Sequence, residues 1–256
     1  GGLKGMWSLV ALGLTCAAVF LVFIPAVLAG KNIYFWACAV CLYSIMGTLL
    51  LVSGASKKSF AAGVGCAAGV GVAGILTLLM TRVLLLTGFV DEQSVYLLSM
   101  GNGVEIDLKG VIFAGILIGA LGAVMDVAMS IASALEELAV RTEHPTFSSL
   151  LRSGLTIGRD IMGTMANTLV LAYIGSSLSV VLLLIAYASS ALGMLNREMM
   201  VVEMLQALVG SIGILCAIPL TSLICAAIYP AAAERPIAEG IQPPMAVSEE
   251  TAGGSR

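Results

Sequence analysis

The sequence predicts an all-α membrane protein, a polytopic bundle of about six transmembrane helices, and three observations lead to that class. Hydrophobic residues make up 59% of the chain and charged residues only 11%, with a mean hydropathy of +1.06; this is not the balance of a water-soluble domain. Several apolar runs exceed the roughly 18 residues that a helix needs to cross about 30 Å of hydrocarbon. None shows the short alternating pattern of an outer-membrane barrel strand.

The first span is expected near 6–29 and the second near 33–52, with Lys31 at their junction. Lys57 and Lys58 precede a third, glycine-rich span near 60–86. An acidic stretch, Asp91, Glu92, Glu105 and Asp107, separates it from a fourth span near 111–134. A polar connector at 136–152 follows, in which Glu136, Glu137 and His144 read as solvated, and a fifth span is expected near 156–175. Residues 178–195 are very apolar at first but short, which suggests a re-entrant or interfacial segment. If they cross, the count is seven and the tail lies outside. The last span, near 204–228, contains Pro219, which membrane helices tolerate where neighbours satisfy the freed carbonyl. The remainder, 231–256, is rich in Pro, Gly, Ser and Glu and is expected to be disordered.

Alternating the sides puts Lys4, Lys57, Lys58, Arg141 and Arg152 on one face against Lys31, Arg82 and Lys109 on the other. The first face is therefore expected in the cytoplasm, together with both termini. The chain opens on Gly1, and its first apolar run has no small-residue cleavage site after it, which reads as a truncated chain and not as a signal peptide. The net charge of −3 comes with no basic cluster, so no nucleic-acid partner is expected; membrane lipid, a membrane-protein partner and a second copy are. Cys16, Cys38, Cys41, Cys66, Cys216 and Cys225 all fall in apolar runs and read as small hydrophobes. Cys38 and Cys41 form a CxxC without a third or fourth ligand nearby, so neither metal nor other cofactor is expected.

Functional residues are sought where polarity enters the membrane. Asp126 is a lone acid in the fourth span, on a stripe of Gly119, Gly122, Ser130 and Ser133 recurring every three or four residues. Such a stripe must face protein or water. In the fifth span Asp160, Thr164, Asn167 and Thr168 share a face, with Arg159 beside Asp160. The two stripes are expected to face each other, with Asp126 level with Thr164 and Asn167, and with Arg159 and Asp160 nearer the cytoplasmic interface. A carboxyl balanced between hydrocarbon, which favours its neutral form, and a nearby arginine, which favours the charged one, can load and release a proton. Asp126, Asp160 and Arg159 are thus candidates for a proton or ion relay, and Ser130, Thr164, Asn167 and Thr168 for a polar path. The bland alternative is an Asp126 that locks two helices together. Gly65, Gly69, Gly115, Gly119 and Gly122 are candidates for close helix packing.

Four segments carry a resemblance: GGLKG at Gly1–Gly5, GAVMDVAMSIASALEEL at Gly122–Leu138, SGLTIGRDIMGTMANTLVLAYIG at Ser153–Gly175, and GSIGILCAIPLT at Gly210–Thr221. Together they resemble the YibE/F family of bacterial membrane proteins, which implies a multi-pass protein of the bacterial cytoplasmic membrane that lacks an N-terminal span, an extracytoplasmic region and a further span carried by other members. The Asp126 span and the Ala166–Asn167 pair also resemble, more weakly, the membrane cores of SecD/SecF and RND transporters, which use proton flow. Three functions therefore compete: a proton-coupled transporter or export subunit, a non-catalytic assembly subunit, and an intramembrane aspartyl protease using Asp126 and Asp160. HExxH, GxSxG and phosphate-binding Gly-Lys patterns do not occur, so no enzyme is expected.

Overall fold

A computed structural model describes residues 2–90, 94, 96, 106–142, 145–187, 193 and 197–229. Those residues form mostly helices. Helix α1 (Gly2–Ala18) runs through a π-helical stretch, Val19–Phe23, into the short α2 (Ile24–Leu28). Pro25 stands at the start of α2; it has no N–H to donate, and a widened turn just before it absorbs the mismatch. Then come α3 (Ile33–Ser53), α4 (Lys57–Val83), α5 (Leu108–Arg141), α6 (Phe147–Ser176), α7 (Leu178–Tyr187) and α8 (Glu198–Ile228). The expected tail at 231–256, most of the acidic stretch, His144 and most of 188–196 lie outside the described residues.

Short polar side chains start the helices. Asn32 accepts from the Phe35 N–H at 3.2 Å, Ser56 from Ser59 at 3.2 Å, Asp107 from Lys109 at 3.0 Å and Thr146 from Ser149 at 3.3 Å. Each satisfies one of the N–H groups left open by a helix start. The end of α4 has no such signal. It closes by Leu86 N–H donating to Thr81 O and Leu85 N–H to Arg82 O, with Leu85 at φ 51° where glycine is usual. A hydrophobicity run cannot show that stop, so the span expected to reach residue 86 ends at Val83.

Five helical segments are long and apolar enough to cross a membrane: Gly5–Leu28, Ile33–Ser53, Lys57–Val83, Leu108–Arg141 and Glu198–Ile228. The fifth expected span lies inside α6, which is long but too polar to join them. It nevertheless runs antiparallel to α8 over the same depth. Gly154 packs on Ser222, Gly158 on Ile218 and Leu169 on Gly210, and Tyr173 meets Gln206, a stretch of about 28 Å at about 1.5 Å per residue. Helix α6 therefore traverses whatever layer α8 traverses.

Contacts at the two ends order the bundle. Lys58 at the start of α4 pairs with Glu136 near the end of α5 at 3.2 Å, and the Tyr229 hydroxyl, just beyond α8, donates to Ala132 O at 3.4 Å. At the other end the Tyr34 hydroxyl donates to Asp107 at 3.0 Å. There the Glu198 carboxylate also accepts from Thr87 N–H (2.8 Å), Gly88 N–H (2.6 Å) and the Thr87 hydroxyl (2.6 Å). The end of α6 and the start of α8 thus lie at the same end of the bundle, and α7 is only 10 residues long. Replacing Glu198 with Ala removes three hydrogen bonds to a charged acceptor. A loss of roughly 1–3 kcal/mol is expected, read as a lower unfolding temperature in detergent.

Helices α4, α5 and α8 form the centre, α3 and α6 flank them, and α1 packs on α3. Between helices in lipid the driving force is close packing of small residues, since hydrocarbon outside is as apolar as hydrocarbon inside. Gly65 lies directly under Thr221, and a Cβ on Gly69 would stand 2.8 Å from Ala217 Cβ, 2.9 Å from Val124 Cγ1 and 3.0 Å from Gly213 O. At that crossing α4 and α8 touch backbone to backbone, with Val124 of α5 closing the gap.

Candidate functional site

Helices α5 and α6 are antiparallel, and their contacts set a register. Gly119 faces Tyr173, Ile131 faces Gly158, and Leu135 faces Gly154. Asp126 therefore lies level with Thr164 and within about one turn of the level of Asn167, near the middle of α5 and about 22 Å from its Arg141 end. Asp160 lies level with Ser130. The same register places Glu136 opposite Ser153, so Arg159 and Asp160 stand about 10 Å deeper than the Lys58–Glu136 pair.

The two stripes match in depth but do not face each other. Helix α6 turns Leu150, Gly154 and Gly158 into the core and packs Met162, Met165 and Leu169 against it. Asp160, Thr164, Asn167 and Thr168 are exposed on its other side, as is Arg159. The Thr164 hydroxyl donates to Ile161 O and that of Thr168 to Thr164 O, each at 2.8 Å, so both satisfy themselves on their own helix. On α5 the buried face is Val124, Val127, Ala128 and Ile131, and Gly115, Gly119, Gly122, Asp126 and Ser130 are exposed. On α6 the face with Gly154 and Gly158 turns inward and lets backbones approach, whereas α5 buries an aliphatic face and leaves its glycine stripe exposed.

Close packing expected of Gly115 and Gly122 is not found among the described residues, where a Cβ on either would meet nothing within 4 Å. Gly119 differs. The Tyr173 hydroxyl and the Gln206 amide lie over it, so that a Cβ would stand 2.8 and 3.1 Å from them. Neither Tyr173 nor Gln206 drew attention in the sequence, since each is a single polar group in an apolar run. Glu203 lies just outside the last span expected at 204–228. It and Tyr173 line a cavity of about 270 Å³ between α6 and α8. Its signal was the continuation of the helix back to Glu198.

No hydrogen bond or ion pair joins Asp126 to another described residue. Asp126 and Asp160 lie about a turn apart in depth, and among the described residues no hydrogen bond joins them. Among the described residues no cluster of His, Cys, Asp or Glu converges as metal ligands, and all six cysteines are free.

The model of the YibE/F-like protein family matches residues 1–231, nearly all of the chain ahead of its C-terminal segment. The chain belongs to the YibE/F-like family. No curated protein and no solved structure matches it, and a similarity to SecD/SecF or RND cores is not shown. This YibE/F-like chain is an integral membrane protein with several apolar helices, and its candidate site is an exposed, polar flank of α5 and α6.

Proposed function

We propose that this YibE/F-like chain is a subunit of a proton-coupled transporter or export machine in the bacterial cytoplasmic membrane, with no enzymatic activity of its own. The observation that carries the proposal is Asp126, an acid at mid-depth of α5, exposed on the outer face and without a described partner. Polar groups at successive depths support it: Asp160 with Ser130, then Asp126 with Thr164, then Asn167, then Tyr173 with Gln206, then Glu203. They extend over about 24 Å of helix. A mid-span carboxylate left against lipid is expensive, so this flank is covered by water or by another protein chain. In this scheme Asp126 takes a proton from one side and yields it to the other as the cover rearranges, while the hydroxyl and amide groups above and below provide hydrogen-bonding positions. Proton flux into proteoliposomes carrying Asp126→Asn tests it, and flux equal to that of the native chain ends it.

The open space over Gly115 and Gly122 favours a second reading, a non-catalytic assembly subunit whose partner packs on that face. A Gly122→Cys chain in which the exposed Cys16 and Cys38 are replaced by Ser is expected to form a disulfide with a second copy, or a cross-link to another membrane protein, in native membranes. A product that stays entirely monomeric under oxidation counts against a covered face.

A further inference from the structure

The observations at the opposite flank of the bundle are independent of Asp126. Helices α3 and α4 and the turn between them border an apolar groove of about 580 Å³, a size typical of ligand sites. Leu42, Met46, Leu50, Phe60 and Val64 are exposed along it, and Lys57, Ser56 and Ser59 line its mouth. Lys57 and Lys58 are the first two residues of α4, and no acid follows them in the first turn. Two cations there oppose the positive end of the helix dipole, an unfavourable placement that an anion nearby relieves. Lys58 has its anion in Glu136. Lys57 is exposed and has none among the described residues. The hydroxyls of Ser56 and Ser59 are already engaged, with each other at 3.1 Å and, from Ser59, with Gly54 O at 2.6 Å. The mouth therefore offers one free cation above an alkyl-lined groove.

We propose that the α3–α4 groove binds an anionic phospholipid, one acyl chain lying along Met46, Leu50 and Val64 and the phosphate resting on Lys57. The charge selects the headgroup and the groove accepts the tail. A zwitterionic lipid fits the groove equally well but carries its own cation to the mouth and gains less from Lys57. The face is the one assigned to the cytoplasm by its lysines and arginines, where anionic headgroups attract basic residues.

The test is native mass spectrometry of the full chain, purified in detergent and supplied with phosphatidylglycerol or phosphatidylcholine of identical acyl chains. The native chain is expected to retain phosphatidylglycerol more tightly, and Lys57→Gln to lower that preference about fivefold, the equivalent of one lysine near an anionic surface. Lys57→Gln removes a charge from an unfavourable position, so its folding is not at risk. Val64→Trp, which fills the groove from an exposed site, is expected to reduce retention of both lipids while leaving the helical circular dichroism unchanged. Equal retention of the two lipids by the native chain overturns the proposal, as does undiminished binding in both variants. A second protein copy displacing lipid from the native chain in the same spectra would also overturn it, by assigning the groove to a protein contact.

Discussion

Exchange of Asp126 for Asn is expected to lower proton flux in proteoliposomes roughly 100-fold, the lower end of what removal of a proton-transferring group costs. Asparagine keeps the size and the hydrogen-bonding capacity of the side chain but cannot titrate. A purely structural Asp126 would survive the change, because helix contacts made by Asp and Asn are alike in shape. Asp126→Glu retains a titratable carboxyl, displaced by one methylene, and is expected to preserve measurable flux. The pair of variants separates chemistry from folding: loss in Asn with partial retention in Glu supports the relay, whereas equal flux in all three chains overturns it. Thr164→Val gives a graded comparison. Its hydroxyl is bonded to its own helix, so a modest effect is expected unless the cover of this flank draws it away.

Replacing Gly69 with Leu is expected to cause a large loss of stability. Even one methyl at this position would sit within 3.0 Å of Gly213 O and 2.8 Å of Ala217 Cβ. A backbone oxygen cannot rotate aside, so α4 and α8 must separate, and Val124 of α5 loses its seat. Overpacking of this kind costs about 1–3 kcal/mol and more where backbone must move; Gly69→Ala is expected in that range and Gly69→Leu at or above its top. Gly71→Ala is the control, because a Cβ there meets nothing within 4 Å and the change should stay within about 0.5 kcal/mol. Thermal unfolding in detergent, followed by circular dichroism, measures all three. If Gly69→Leu unfolds at the native temperature, the α4–α8 crossing is not as close as described.

The helical class and the family were legible in the residues. Long apolar runs have few ways to satisfy their backbones in lipid. Depth was legible as well, since rise per residue is constant: Asp126 and Thr164 are level, as counting along two antiparallel helices requires. Helix ends were less so. The boundaries at 111–134 and 156–175 followed hydrophobicity, but α5 spans Leu108–Arg141 and α6 spans Phe147–Ser176, and α4 stops at Val83 inside an apolar run because of the backbone turn at Leu85.

The sequence by itself determined that polar groups occupy one side of α5 and one side of α6, because periodicity alone places residues on a helix surface. Only the tertiary structure decided which way those sides point. In water, hydrophobicity rotates a helix; in lipid it does not, because the surroundings are as apolar as the core. The rotation is chosen by backbone fit, Gly154 and Gly158 against Ser222 and Ile218, and Val124 against Gly69 and Gly213. Those contacts turn Asp126, Asn167 and Asp160 outward. The same fit leaves Lys57 at the mouth of an open groove. Both flanks are consequences of where glycines let helices meet.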